Sequence, residues 1–350
     1  MTSPADVEAL LGAVRPIAAR EIAPAAARWD SSGELEPDVA SRLAQWGLFG
    51  VSVAEQAGGV GAGMLGAAAV VEEIASHSGA LAMRLALHEA VAIGFALETS
   101  DTAMLGRLIG ATAFVGAIGV GRGLQVARSD TRTRVHGDVR MVPGDGALVA
   151  FARDATGMVV GMVDGDHIGT RRHRAASGLR ALGWSDVTVD ATFERAGDDA
   201  LATRLAARLS VLVAATACGL ARAAIGQAAG YALVREQFGQ PIAQFQAIQW
   251  KLANAATERA AAWHLAIDAA SRIDRAATGA TQAAARAQLA AVRASVVACS
   301  DALQIHGGNG YTREFPVERL LRDARACGAI DRDDDDLRTD VAASIAQRFA

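Results

Sequence analysis

A chain of 350 residues, 51% apolar but only 5% aromatic, can bury a sizeable core, and its alanine, leucine and valine favour helices. The formal net charge of −4 excludes a general nucleic-acid binder, which needs a basic stripe. The odd, scattered set of Cys218, Cys299 and Cys327 lacks metal-like spacing and fits a reducing cytoplasm, where the protein is expected.

The opening MTSPADVEALLGAVRP carries no basic segment followed by an apolar run, so no signal peptide is expected. From Ala5 to about Gly110 the pattern predicts helices, broken early at Pro16, Pro24, Ser31-Ser32-Gly33 and Pro37. Pro37 is expected in the first turn of a helix over Asp38 to Trp46. Gly58, Gly59, Gly61 and Gly63 crowd a loop without GxGxxG spacing and read as a turn. Helical periodicity resumes from Ala67 to Leu97.

Between Ala111 and Asp199 the character changes. Thr112–Ile118, Ala147–Phe151, Met158–Met162 and Val187–Phe193 have strand length, with Asp145-Gly146 and Asp164-Gly165 as turns. The basic cluster Arg171, Arg172, His173 and Arg174 reads as a solvated loop rather than a phosphate site. From Leu201 long helices return, with a short polar hinge from Asp274 to Gly279. The apolar run Leu209 to Ala217 is too short to span a bilayer, so no membrane span is expected. The expected organisation is an α domain over 1–110, a β domain over 111–200 and a helical domain over 201–350.

Two stretches of the last domain carry specific patterns: REQFGQPIAQFQAIQWKLA (Arg235 to Ala253) and LQIHGGNGYTREFPVERLLRDAR (Leu303 to Arg325). Taken alone, Arg235 could pair with a surface acid and Phe238 could be ordinary core. With both patterns present in this order, the chain resembles the acyl-CoA dehydrogenase family from near Ala13 to about Ile330, and Gly47 to Ala75 is similar to that family's looser first-domain pattern. The resemblance implies an α+β fold: an N-terminal helical domain, a middle β domain and a C-terminal four-helix bundle.

It also implies FAD-dependent α,β-dehydrogenation of an acyl-CoA thioester in lipid metabolism. A carboxylate takes the proton α to the carbonyl, and a hydride leaves the β carbon for the flavin. Assembly as a dimer or tetramer, homomeric or with homologous subunits, follows from the same resemblance. Arg235 and Gln237 would reach the pyrophosphate of FAD bound mainly by a neighbouring subunit, where a guanidinium fork suits phosphate oxygens. Phe238 would lie beside the adenine, Gln246 would add a polar contact, and Gln304 and Gly308 would line the cofactor's path. Arg322 and Asp323 are expected to make structural ion pairs.

The family's catalytic glutamate corresponds to Asp331, the same group on a stem one methylene shorter. A displacement of about 1 Å in a catalytic group costs on the order of a hundredfold in rate. By itself, the run Asp331 to Asp336 reads as a solvated acidic loop, and Arg332 and Asp333 replace a glycine and a threonine of the pattern. A second family position for the base corresponds to Leu209, which cannot move a proton, and neighbouring Arg208 stays protonated. Ser210 corresponds to a residue that contacts the coenzyme's adenine-side end.

The β domain keeps only Ser129-Asp130 of the flavin-holding segment, in AIGVGRGLQVARSD. Arg140 to Pro143 stands for the aromatic segment that follows, and Gly119, Gly121 and Gly123 read as a plain turn. The seven histidines show no metal spacing, and His306, within the glycine motif, is expected to pack. Two functions follow: an enzyme using Asp331 as base, or a non-catalytic subunit of a heteromeric acyl-CoA dehydrogenase that completes a partner's FAD site.

Overall fold

Alanine-rich helices have small side chains, so they bury surface by bringing their axes close together. In the computed structural model, which describes residues 3–111, 113–118, 124–128, 132–144, 146–163, 165–193, 197–330, 332 and 334–349, this packing dominates. The first helices are α1 (Pro4–Ile17), α2 (Ala26–Ser32), α3 (Val39–Gln45), α4 (Gly63–Ala75), α5 (Gly79–Leu87), α6 (Gly94–Glu98) and α7 (Thr102–Ile109). Pro16 was expected to break the helix, yet it lies inside α1. A proline removes a single hydrogen bond, and the chain absorbs the loss in a π turn over Ala18–Ile22. Pro37 stands before the N-cap Asp38 of α3, not in its first turn.

The strands are β1 (Gly116–Ile118), β2 (Leu124–Arg128), β3 (Thr133–Pro143), β4 (Leu148–Asp154), β5 (Gly157–Val163), β6 (Ile168–His173) and β7 (Trp184–Phe193). They form a three-stranded sheet, β1-β4-β5, and a four-stranded antiparallel sheet, β2-β3-β7-β6. Leu148, Ala150, Ala152, Val159 and Val163 pack with Val135, Val187, Val189 and Ala191 between the sheets. The opposite faces of β4 and β5, with Val149, Phe151, Met158 and Val160, join the helical core. Both faces of those two strands are therefore covered, which gives their continuous apolar runs.

The basic cluster is not a solvated loop. Arg171 on β6 donates to the carbonyls of Gly144 (2.6 Å) and Gly146 (3.0 Å), and Arg174 pairs with Asp186.

The remaining helices are α8 (Asp199–Val234), α9 (Gln246–Asp274), α10 (Ala280–His306), α11 (Val317–Cys327) and α12 (Asp334–Phe349). Helices α8 to α11 pack as a bundle with α4 and α5 against α8. The apolar run from Leu209 to Ala217 is part of the 36-residue α8, long and apolar enough to cross a bilayer but largely buried inside the protein. Its burial among neighbouring helices accounts for that composition; the shortness argued from the sequence does not.

Gly219 permits the close approach of α8 to α4, because a Cβ there would collide with the Glu72 carbonyl oxygen of α4. Beside it, the buried Glu72 accepts from Arg222 (2.9 and 3.0 Å) and from Arg259, and Glu73 also accepts from Arg222 (3.0 Å). Buried carboxylates require such partners. The Asp274 carboxylate at the end of α9 caps α4, accepting from the Met64 (2.7 Å) and Leu65 (3.1 Å) N–H groups. Asp334, Asp335 and Asp336, expected in an acidic loop, form the first turn of α12, where carboxylates favour the helix dipole.

Arg322 and Asp323 on α11 fasten the three regions together. Arg322 donates to Asp30 of α2 (3.0 and 2.7 Å), to Glu318 (2.7 and 3.0 Å) and to the Ser177 carbonyl in the loop before β7 (2.6 Å). Asp323 makes no ion pair among the described residues, contrary to expectation; its carboxyl accepts from the Leu179 N–H at 2.6 Å. Burial pushes this carboxyl up to about 7, with the Leu179 hydrogen bond opposing the shift.

The folded protein thus holds this proton to a pH of about 7, whereas an unfolded aspartate releases it near ~4. Between these values the folded state binds more protons, so the stabilising contribution is complete below the lower value and is lost as pH rises through the upper one. Asparagine keeps the acceptor for Leu179 and cannot ionise. Asp323→Asn should therefore show a smaller fall in Tm between pH 5 and pH 8 than the parent chain. Equal falls would show that Asp323 does not titrate in this window.

Candidate cofactor-binding site

Arg235 ends α8, with its N–H donating to the Tyr231 carbonyl at 2.9 Å and its own carbonyl accepting from Ile242 at 2.8 Å. The chain then turns back as a two-residue hairpin, β8 (Glu236–Gln237) against β9 (Gln240–Pro241). Both turn residues have positive φ, 53° at Phe238 and 79° at Gly239. Glycine adopts this conformation freely; a phenylalanine does so against steric resistance. The Phe238 ring is also 92% exposed, edge-on to Phe245 at 6.2 Å. An exposed aromatic held on a strained turn is the main irregularity of this surface.

The second motif meets the first here. Helix α10 ends at His306, and Gly307 (φ 58°) starts a 3-10 turn through Tyr311. The buried His306 ring stacks on Tyr231 with centroids 4.3 Å apart and meets Phe315 edge-on, while its Nδ1 lies 2.8 Å from the Ala302 carbonyl. The expected packing role of His306 is what the geometry shows. Asn309 Nδ2 donates to the Tyr231 hydroxyl at 3.1 Å.

A cleft of about 380 Å3 results, and Arg235, Gln237, Tyr231, His306, Gly308 and Asn309 contribute to its wall. Residues more than 70 positions apart in sequence thus share one concave surface, a size suited to part of a dinucleotide. Arg235 is exposed and has no ion pair among the described residues, which removes the surface-acid alternative. A pyrophosphate fits this donor set, a guanidinium fork with an amide beside it.

The structure brings together Arg235, Gln237 and Gly308 of the residues expected from sequence. Phe238, Gln246 and Gln304 stand outside the cleft wall: Phe238 projects from the hairpin, Gln246 opens α9 exposed, and Gln304 faces outward on α10. Within one chain these three do not converge, because each points away from the bundle. Tyr231 and Asn309 were missed. Tyr231 lies one helical turn before Arg235, and that spacing was the available signal.

On the other side of α8, Leu209 is buried, and the buried Arg208 donates from Nη2 to Ser52 Oγ at 2.9 Å. Ser210, only 1% exposed, accepts from Arg332 Nη2 at 3.0 Å, and Arg332 also pairs with Asp340 of α12. Asp331, Asp333, Gly119, Gly121, Gly123, Ser129 and Asp130 lie outside the described residues.

Two glycines of the second motif separate ligand contact from folding. A Cβ at Gly310 would sit 2.5 Å from the Leu303 carbonyl oxygen, whereas Gly308 has open space and no positive φ. Gly308→Ala should therefore leave stability within about 0.5 kcal/mol of the parent and still reduce retention of a ligand in the cleft. Unchanged retention at unchanged Tm would remove Gly308 from the contact surface.

Comparison with known proteins identifies the family. Residues 4–103 match the acyl-CoA dehydrogenase N-terminal domain, and residues 196–345 match the acyl-CoA dehydrogenase C-terminal domain. A probable acyl-CoA dehydrogenase of Bacillus subtilis is 32% identical over 354 aligned positions, covering 89% of this chain and 90% of that protein. The fold is similar to butyryl-CoA dehydrogenase from Megasphaera elsdenii (TM-score 0.89, 22% identity, 97% and 98% of the two chains covered). It is also similar to a glutaryl-CoA dehydrogenase from Mycobacterium smegmatis in complex with FADH2 (TM-score 0.87, 16% identity, 97% and 94% covered). The chain belongs to the acyl-CoA dehydrogenase family of oxidoreductases.

Proposed function

We propose that the chain carries out FAD-dependent α,β-dehydrogenation of an acyl-CoA thioester within an oligomer, and that its two motifs complete the cofactor site of a neighbouring subunit. The observation that carries this reading is Phe238, exposed on a strained turn beside a cleft lined by Arg235 and Gln237. Exposure and strain both cost stability in an isolated chain and are offset where a second subunit brings a ligand against the ring. Family membership supports the activity, and the FADH2 complex of the M. smegmatis protein supports the cofactor.

When bound, FAD would supply the hydride acceptor for the β carbon. Arg235 would neutralise pyrophosphate charge with Gln237 beside it, Phe238 would cover the adenine, and Gln246, Gln304 and Gly308 would border its path. Asp331 would take the α proton, and Ser210 would stand on the coenzyme side.

A second reading makes the chain a non-catalytic subunit that lends the same surface to a homologue. It is favoured by Arg332, whose guanidinium holds the Ser210 hydroxyl and Asp340. The Ser210 hydroxyl is thereby engaged within the chain rather than open to a coenzyme.

The chain purified alone should carry visible flavin absorbance that bleaches on addition of an acyl-CoA. Asp331→Asn should lower turnover by about a hundredfold or more while the flavin stays bound. A colourless chain that turns yellow only with a homologous subunit would favour the second reading. Undiminished turnover in the variant would show that the base lies elsewhere.

A further inference from the structure

A cavity of about 630 Å3 lies away from the cleft of the two motifs, between the loop joining α2 and α3, helix α5, the entry to β1 and the segment between β6 and β7. Its walls include the nearly buried rings of Phe114 (7% exposed) and Trp184 (5%), with Leu35. These surfaces are fixed. Trp184 Nε1 donates to the Leu179 carbonyl at 3.2 Å, and Arg84, itself 6% exposed, donates from Nε to the Ala181 carbonyl at 3.0 Å. The Arg84 guanidinium carbon stands 5.5 Å from the Phe114 ring centroid.

Two further cations in the wall are accounted for differently. Arg174 is engaged by Asp186. The guanidinium of Arg180, half-buried in the short turn between β6 and β7, makes no hydrogen bond or ion pair among the described residues. Glu36 in the opposite wall is occupied by Arg28, Trp29 and Arg42, and the exposed Glu34 does not reach Arg180 as an ion pair.

A half-buried guanidinium without a carboxylate, facing a cavity with rigid aromatic walls, lacks only the anion. We infer that this cavity binds a small monocarboxylate with an apolar or aromatic body, its carboxylate on Arg180 and its body against Phe114 and Trp184. The planar fork of arginine matches a carboxylate through two parallel hydrogen bonds. Phe114, Trp184 and Leu35 give the body of such a molecule an apolar edge to lie against. The 630 Å3 volume falls within the usual range for small-molecule sites.

The inference does not depend on the flavin reading and can be tested on the full-length chain without any turnover assay. Benzoate titrated by calorimetry should bind and should quench tryptophan fluorescence. Arg180→Gln should weaken binding at least tenfold at unchanged Tm. Arg180→Lys, which keeps the charge and loses the fork, should lie between. Arg235→Gln, at the other site, should leave benzoate binding unchanged. No binding, or equal affinity in the parent chain and Arg180→Gln, would overturn the inference. Tighter binding of inorganic phosphate than of benzoate would overturn the ligand class.

Discussion

Arg322 and Asp323, adjacent on α11, fix the geometry on which everything else relies. One guanidinium ties the C-terminal bundle to Asp30 of the first helices and to the Ser177 carbonyl of the β region. The neighbouring carboxyl holds the Leu179 backbone, so the turn that carries Arg180 is seated on the bundle. Gly178 has to be glycine for this seat, since a Cβ there would collide with the Arg322 carbonyl. Burying an aspartate with one donor would cost several kcal/mol in its charged form, and its raised proton affinity is how the protein meets that constraint. The same residues stand at the end of a motif otherwise associated with the cofactor, so one stretch of sequence both docks the domains and shapes the cleft.

The surface of the bundle and its interior divide the candidate residues. Arg235, Gln237 and Phe238 are exposed and directed outward, while Ser210 is sealed under Arg332. A chain acting alone would gain nothing from displaying a strained aromatic; a chain acting on its neighbour would. The exposed Leu233, Val234 and Trp250 lie on the same stretch of α8, the hairpin and α9. An apolar margin of this kind beside a polar cleft is the composition that protein interfaces favour.

Much of this was legible in the sequence, for local reasons. The two motifs stood out as residue patterns, although the hairpin turn at Phe238-Gly239 did not, and the long alanine-rich helices follow from propensity and periodicity. Strands with both faces buried, such as Leu148–Asp154, announced themselves as apolar runs. β2 and β6 did not, because Leu124–Arg128 and Ile168–His173 carry arginines satisfied by partners distant in sequence, such as Asp154 and the Gly144 carbonyl. The helix built on Asp334 to Asp336 was hidden for a related reason: a block of like charges reads as solvated until the helix terminus and Arg338 that stabilise it are known. The convergence of Tyr231 with His306 and Asn309 depends on how α8 packs on α10, which no single stretch records.

The proposed function requires a working site that draws residues from two subunits. Intersubunit complementation tests it most directly. An Arg235→Ala chain keeps its own Asp331, and an Asp331→Asn chain still offers Arg235 to its neighbour. Co-assembled from equal amounts, the two inactive chains should recover about a quarter of parental activity, because about half the assemblies would be hybrids with one restored site in two. Activity no higher than that of either variant alone, in assemblies shown to contain both chains, would contradict a shared site.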